Sequence, residues 1–192
     1  MEFFDSHAHY NDEKFDEDRD EMIAKAHQDG ISKVVCAGYS IESSKKAIEI
    51  AEKYDFIYAT VGISPNDLED TNGVALLAAQ HPKVVAIGEI GLDYYWNKEN
   101  KELQKEVFIK QIELANDLGL PIVIHTREAV YDTIDILKTN PVKNKGVFHC
   151  CPLNRELVKE GLELGFYISF AGPVTFKNSK NADEIIRNGS NG

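Results

Sequence analysis

The chain has 192 residues, of which 43% are hydrophobic and 28% charged. These proportions are those of an ordinary globular domain, and they exclude a chain that is disordered throughout. The formal net charge is −11, from 32 acidic and 21 basic residues, and such a surface repels polyanions at long range. This argues against a protein that coats nucleic acid irrespective of sequence. It leaves open a phosphate substrate held in a pocket by bound cations and a local arginine.

Cysteine usage indicates the redox compartment. The chain has three cysteines, an odd number, at Cys36, Cys150 and Cys151. Two of them are adjacent, and they form no CxxC pair. A disulfide framework is therefore not expected, and a reducing cytoplasm fits best. The N-terminal residues lack the basic region and long apolar run of a secretory signal. No stretch approaches the roughly 20 apolar residues that a membrane helix needs, so we expect no contact with a membrane.

Short apolar runs alternate with longer amphipathic segments along the whole chain. In chain order, strands are predicted at 3–9, 33–38, 57–63, 84–93, 121–126, 146–150 and 166–172. The helices predicted to follow them cover 15–30, 41–55, 74–80, 98–118, 128–139, 154–164 and 182–188. Gly119 and Pro121, after the longest helix, are typical of a helix end.

Repeated β–α units require a parallel sheet with helices packed against it. Seven units of about 25 residues predict an α/β fold, a (β/α)8 TIM-type barrel that lacks its eighth strand–helix unit. Residues 1–192 are predicted to form a single domain. A doubly wound open sheet is the alternative, and it is disfavoured because no glycine-rich nucleotide loop follows the first strand.

Four of the six histidines stand near the C-terminal ends of predicted strands, namely His7, His9, His125 and His149. Active sites of barrels are built at that edge. His7 and His9, two residues apart, lie on one face of a strand and can hold one ion. The alternative is a pair of polar residues on a half-exposed strand. Asp5 is predicted to orient a histidine ring through a hydrogen bond.

Glu89 lies inside the apolar segment 86–93. An ionised carboxylate buried without a partner is costly, so Glu89 is predicted to bind metal. A buried salt bridge to a lysine or arginine is the alternative. Together with the four histidines, Glu89 predicts a metal site, and imidazole with carboxylate ligands suits zinc, manganese or magnesium.

Five segments resemble the TatD family of metal-dependent deoxyribonucleases, within the amidohydrolase-like barrel superfamily, and they occur in the order of that family. They are FFDSHAHY, AIGEIGLDYY, PIVIHTRE, GVFHCC and SFAGPVTFKNSK. The resemblance implies hydrolysis of DNA phosphodiester bonds, as an exonuclease, with two divalent metal ions. It assigns His7 and His9 to the first ion, His125 and His149 to the second, and Glu89 to both. Two cations about 3.5–4 Å apart can activate a water and stabilise both the attacking and the leaving oxygen.

Three residues receive further roles from the resemblance. Arg127, two positions after His125, is predicted to act in catalysis and to pair with a phosphate oxygen of the substrate; a surface ion pair is the alternative. Glu89 is predicted to be catalytic as well as metal-binding. Ser64 is predicted to contact the substrate, in the place where the family carries a histidine in a Gly-x-His-Pro stretch. Its hydroxyl is shorter and does not titrate near neutrality.

The resemblance also implies a metal-binding aspartate on an eighth strand, for which the 192 residues hold no counterpart. The ion at His7 and His9 is therefore expected to be the more weakly held. An open barrel leaves unpaired edges on its first and seventh strands, which favours a homodimer.

Three functions are consistent with these residues. They are a deoxyribonuclease, an amidase, lactonase or phosphotriesterase on the same barrel, and a metal-binding pseudo-enzyme without turnover. A glutamate stands at the bridging position where the wider superfamily often uses a carboxylated lysine, and this favours the deoxyribonuclease.

Overall fold

The computed structural model describes residues 2–68, 71–177, 179 and 181–189, in which strands and helices alternate. Strands β1 to β7 are Phe3–Ala8, Ile31–Ala37, Ile57–Val61, Val84–Asp93, Ile122–Arg127, Gly146–Phe148 and Tyr167–Ile168. Helices α1 to α7 are Arg19–Gln28, Ile41–Lys53, Asn72–Gln80, Lys101–Leu118, Val130–Thr139, Arg155–Glu163 and Ala182–Gly189. Short 3-10 turns occupy Glu13–Phe15 and Gly172–Thr175.

The strands form one parallel sheet in the order β1-β2-β3-β4-β5-β6-β7. Each strand lies beside the next one along the chain, as in a TIM-type barrel, whereas the strand order of a doubly wound sheet reverses at a switch point. The predicted α/β fold is therefore confirmed, and the doubly wound alternative is wrong. Because all strands run in one direction, their C-terminal ends meet at one edge of the sheet.

Helices cover the sheet and bury its aliphatic side chains. Phe108 and Ile112 of α4 are fully buried, and they belong to the same apolar core as Ile90 of β4 and Ile124 of β5. Successive residues of β4 and β5 are apolar. This pattern is typical of strands that are buried on both faces of a parallel sheet. This packing fixes β4 and β5, the strands that carry two of the predicted metal ligands.

Local signals explain several helix ends. Ser40 caps α2, since its hydroxyl accepts the N–H of Ser43, and Asn154 caps α6 by accepting the N–H of Leu157. Helix α4 ends at Leu118, and Gly119 follows with φ 66°, a left-handed conformation that glycine adopts without steric cost. The helix end predicted at Gly119 is confirmed.

Two strands are shorter than predicted. The sequence pattern extends β6 to 150 and β7 to 172, but they end at Phe148 and Ile168. Cys150, with φ 42°, turns the backbone after β6, and the Pro173-containing 3-10 turn begins at Gly172. As a result His149 lies just beyond β6 and not within it.

None of the helices in the described ranges has both the length and the apolar character needed to cross a membrane. Cys36, Cys150 and Cys151 are free thiols.

Candidate metal centre

The five predicted ligands lie together at the C-terminal edge of the sheet. His7 belongs to β1, Glu89 to β4 and His125 to β5, while His9 and His149 each follow the last residue of their strand by one position. The N–H of His149 donates to the carbonyl of Ile124 at 3.1 Å, which places His149 beside His125. The parallel order of the strands therefore brings residues from four separate segments to one point.

Glu89 is at the centre of this cluster. Its Oε2 lies 3.2 Å from Nε2 of His7 and 3.5 Å from Nε2 of His9. Its Oε1 lies 2.9 Å from Nδ1 of His125 and 3.0 Å from Nε2 of His149. The ligand atoms form two sets that share Glu89, one with His7 and His9 and the other with His125 and His149, each within 4.8 Å. Two oxygens of one carboxylate thus each face two imidazole nitrogens, a donor set that fits a pair of divalent cations.

The side chain of Glu89 is buried and faces histidines. Glu89 is 7% exposed, and within the described residues its ionic partners are histidines, not lysine or arginine. A buried salt bridge from Glu89 to a lysine or arginine is therefore not observed in that part of the chain. Burial would raise the pKa of Glu89, but hydrogen bonds with His125, His149, His7 and His9 hold that pKa well below its usual value. Glu89 is consequently a carboxylate over the whole physiological range.

Glycines let the strands approach closely at this level. The residue before Glu89 is Gly88, and a Cβ there would lie 2.6 Å from Cβ of Val123 on the neighbouring strand. Gly91 pairs with His125 and has φ 141°, and its Cβ would lie 2.0 Å from the His125 carbonyl oxygen. Side chains at these positions would separate β4 from β5 and move Glu89 away from His125.

Hydrogen bonds select which ring nitrogen of two histidines faces Glu89. Nδ1 of His9 lies 3.1 Å from the carbonyl oxygen of Ala37, to which it donates, so Nε2 is left as the lone-pair donor. Nε2 of His125 lies 3.0 Å from Oδ2 of Asp93, so Nδ1 faces Glu89. Such contacts set the tautomer and orientation of a metal-binding imidazole.

The predicted role of Asp5 is wrong. Its Oδ1 accepts the backbone N–H of His7 at 3.1 Å and does not orient a ring. Nδ1 of His7 is buried and has no hydrogen-bond partner within the described residues. Asp5 precedes His7 by two residues, and at this spacing an aspartate side chain typically accepts a backbone N–H in an Asx turn.

Asp93 is a further residue of the site, for which the sequence analysis predicted no role. It is fully buried at the end of β4, and besides His125 it accepts the backbone N–H groups of Tyr95 and Trp96 at 2.9 and 3.0 Å. Burial would raise the pKa of Asp93, but hydrogen bonds from His125 and Trp96 outweigh it and lower the pKa to about 2. A signal was present: Asp93 follows Glu89 by four residues in the same strand, so both lie on one face.

The histidines differ in protonation. Burial lowers the pKa of His7 to about 4. Burial would also lower the pKa of His125, but hydrogen bonds to Asp93 and Glu89 outweigh it and raise the pKa to about 9. Near pH 7 His7 is therefore neutral, while His125 carries a proton between two carboxylates.

Arg127 and Ser64 lie outside the Glu89 cluster. Cζ of Arg127 lies 3.8 Å from the ring centroid of Tyr95, and no ion pair of Arg127 occurs in the described part of the chain, so the surface ion pair considered for it is not observed there. Ser64 is 4% exposed. Its hydroxyl donates to Oδ2 of Asp67 at 2.6 Å and accepts the N–H of Asn66 at 3.1 Å. The side chain of Ser64 is thus used within its own turn, and its contact with substrate stays a prediction.

Comparison with known proteins identifies the family. The family described as TatD related DNase matches residues 4–191. An uncharacterized metal-dependent hydrolase of Bacillus subtilis, YabD, is 44% identical over 190 residues, which are 96% of this chain and 74% of that protein. The 3'-5' ssDNA/RNA exonuclease TatD of Cronobacter sakazakii is 35% identical over 176 residues, 89% of this chain and 67% of that protein.

The fold agrees with these relatives. The crystal structure of the TatD homologue YJJV from Escherichia coli K12 superimposes with a TM-score of 0.90 at 26% identity, over 96% of this chain and 73% of that one. This chain belongs to the TatD-related DNase family and is, like the relatives so named, a metal-dependent hydrolase.

Proposed function

We propose that this chain hydrolyses phosphodiester bonds of DNA, as an exonuclease, with two divalent metal ions at the Glu89 cluster. The observation that carries the proposal is the arrangement of Glu89, whose two oxygens each face two imidazole nitrogens at 2.9–3.5 Å. A relative of 35% identity is named an exonuclease of single-stranded DNA and RNA, which supports nucleic acid as the substrate.

The residues present fit two ions. His7, His9 and Glu89 would hold one, and Glu89, His125 and His149 would hold the other. Magnesium, manganese and zinc all suit this mixture of imidazole and carboxylate. Ions bound there would supply Lewis-acid chemistry that activates water and neutralises charge on the phosphate.

The protein's own residues position the reactants. Asp93 holds His125, and Ala37 holds His9, so that Nδ1 of His125 and Nε2 of His9 face Glu89. Arg127 is two residues beyond His125, at the end of β5, where its guanidinium can form charge-assisted hydrogen bonds with a phosphate oxygen. Ser64 lies in a turn whose Asn66 amide donates to Asp93 at 3.3 Å, so it acts on the site through Asn66 and Asp93 besides its predicted contact with substrate.

A substrate panel tests the proposal. The purified chain, supplied with Mn²⁺, is assayed on single-stranded DNA labelled at either end, on a phosphotriester, on a lactone and on a cyclic amide. We expect stepwise loss of nucleotides from DNA and no turnover of the other substrates. The variant Glu89→Gln is expected to reduce DNA cleavage by orders of magnitude. Turnover of the ester or amide alone would establish the amidohydrolase-type alternative, and metal binding without any turnover would establish the pseudo-enzyme.

The outer strands of the sheet support a proposal about assembly. In the described part of the chain β1 and β7 each pair on one side only, and β1 exposes Phe3 and Phe4 at 52% and 61%. Unpaired strand edges of this kind promote association. We therefore propose a homodimer through the open edges of a single domain of residues 1–192. Sedimentation is expected to give twice the chain mass of 21.5 kDa, and a strict monomer would contradict it.

Free thiols at Cys36, Cys150 and Cys151 support the cytoplasm as the place where the protein acts, since thiols persist in a reducing compartment.

A further inference from the structure

Two large aromatic side chains are exposed beside the metal centre. Tyr95 and Trp96 follow β4 directly and are 43% and 66% exposed. Their rings are nearly perpendicular, at 88°, with centroids 4.8 Å apart. Arg127 lies over both, with Cζ 3.8 Å from the Tyr95 centroid and 5.5 Å from that of Trp96. The three side chains form one surface, here called the aromatic platform.

The backbone beneath the aromatic platform is held by buried hydrogen bonds. Asp93 accepts the N–H groups of Tyr95 and Trp96. Gln104, fully buried on α4, donates to the carbonyls of Asp93 and Asn97 at 3.0 and 2.9 Å. Both ends of the loop that carries the two rings are thereby fixed, so binding on the platform costs little ordering of the protein.

The same contacts join the aromatic platform to the metal centre. One oxygen of Asp93 holds His125, and the other holds the backbone of Tyr95 and Trp96. Asp93 pairs with Arg127 across β4 and β5, and the N–H of Tyr94 donates to the Arg127 carbonyl at 2.9 Å. The platform and the metal centre therefore adjoin at the C-terminal ends of β4 and β5, and they share Asp93.

The chemistry of the platform selects its occupant. Arg127 lies over the ring of Tyr95, and its N–H groups can bind an anion. Trp96 is 66% exposed beside that cation and offers an aromatic surface to a ligand. A cationic ligand is disfavoured by Arg127, whereas a nucleotide supplies a phosphate and a flat base at adjacent positions. Only unpaired bases expose their faces, since duplex bases are covered by their neighbours.

We propose that Trp96 stacks on a base of single-stranded nucleic acid while Tyr95 holds Arg127 against the adjoining phosphate. This inference rests on the proposed function, since hydrolysis of the bound strand is the reaction proposed above. It adds the residues that give preference to single-stranded over duplex nucleic acid. Trp96 and Tyr95 are substrate-binding residues in this account. They make no contact with Glu89 in the described structure.

The single tryptophan of the chain makes the contact directly measurable. The wild-type protein is titrated with a phosphorothioate-linked single-stranded oligonucleotide, which resists cleavage, while Trp96 fluorescence is recorded. We expect saturable quenching, because a stacked base lies against the indole. A strand of the same length with abasic sites, and a blunt duplex, are expected to quench much less.

Matched variants measure the contribution of Trp96 to the binding of single-stranded DNA. Trp96→Ala is expected to raise KM for single-stranded DNA and the dissociation constant of a labelled strand by about 5- to 150-fold, the range for one stacked base. The kcat value is expected to stay near that of the wild type. Trp96→Phe should retain most of the affinity, since it keeps an aromatic face. Tyr167→Ala removes another exposed aromatic residue, 78% exposed at the start of β7, and should leave KM unchanged.

The outcomes separate this inference from the proposed function. Cleavage by the wild type with no quenching and an unchanged KM in Trp96→Ala overturns the stacking contact and leaves the nuclease in place. Base-dependent quenching without cleavage of any nucleic acid supports the contact and removes the proposed function. Equal quenching by single-stranded, abasic and duplex DNA overturns the contact, because the phosphate alone would then account for binding.

Discussion

Oδ2 of Asp93 lies 3.0 Å from Nε2 of His125, and this contact determines that Nδ1 of His125 faces Glu89. Asp93 is fully buried, so its charge is little screened by solvent. The proposed metal ligand His125 is thus held by a second carboxylate outside the proposed ligand set. We therefore expect metal affinity to depend on Asp93.

Replacing Asp93 by asparagine is expected to weaken metal binding. The variant keeps the size of the side chain but loses the charge that holds His125, and removal of such a partner lowers metal affinity by about 10- to 100-fold. Calorimetry with Mn²⁺ measures the change. Asp5→Asn is the matched control, since Asp5 contacts only the backbone of His7 among the described groups, and it should change affinity far less. Equal effects of the two substitutions would contradict the role of Asp93.

The two halves of the centre are expected to bind metal with different strength. His7, His9 and Glu89 are expected to form the weaker site, since Nδ1 of His7 has no hydrogen-bond partner among the described residues. Glu89, His125 and His149 are expected to form the tighter one, since His125 is held by Asp93. Equilibrium dialysis with Mn²⁺ should show two classes of site in the wild type. His9→Ala should remove the weaker class and His149→Ala the tighter one. A wild type that binds a single ion at saturation would refute this arrangement.

Ser64 is expected to contribute to stability through its turn. In Ser64→Ala the N–H of Asn66 and the carboxylate of Asp67 lose their partner, and such losses at a half-buried position cost about 1 kcal/mol. Urea unfolding measures the free energy. Ser32→Ala is the control, because that hydroxyl bonds a carbonyl at an exposed position and its loss should cost less than about 0.5 kcal/mol. A Ser64→Ala variant as stable as the control would show that the turn does not depend on the hydroxyl.

Asp132 is expected to give a pH-dependent contribution to stability. Tyr94 donates to its Oδ2 at 2.6 Å, and Lys105 lies 2.9 Å from the same oxygen. These bonds lower the pKa of Asp132, so its contribution is full above the ordinary value of 3.8 and is lost as the pH falls through the folded-state pKa.

The variant Asp132→Asn should therefore lower the free energy of unfolding by about 1 kcal/mol at pH 7, a value reduced for partial exposure. The difference from the wild type should vanish as the pH falls through the folded-state pKa of Asp132, which lies below the ordinary value of 3.8. Thermal unfolding at several pH values tests this, with Asp135→Asn, at an exposed position of the same helix, as the control. A difference that persists unchanged into acid would contradict the ion-pair origin.

The sequence predicted those features that depend on residue type and periodicity. The order of strands and helices follows from alternating apolar patterns, and the histidines are recognisable because they follow apolar strands. Asp93 escaped notice because its role depends on His125 of the neighbouring strand, 32 residues away along the chain. The early end of β6 depends on the turn at Cys150, which no apolar pattern records. The exposure of Tyr95 and Trp96 was not predictable either, since aromatic residues after a strand are more often buried.

Restoration of metal to the stripped protein tests whether cleavage depends on ions bound at the Glu89 cluster. The chain is freed of metal with a chelator, the chelator is removed, and cleavage of labelled single-stranded DNA is followed as Mn²⁺ is added. We expect no cleavage before addition, recovery of stepwise cleavage as the ions bind, and no recovery in Glu89→Gln. Cleavage by the metal-free wild type, or equal recovery in Glu89→Gln, would contradict this dependence.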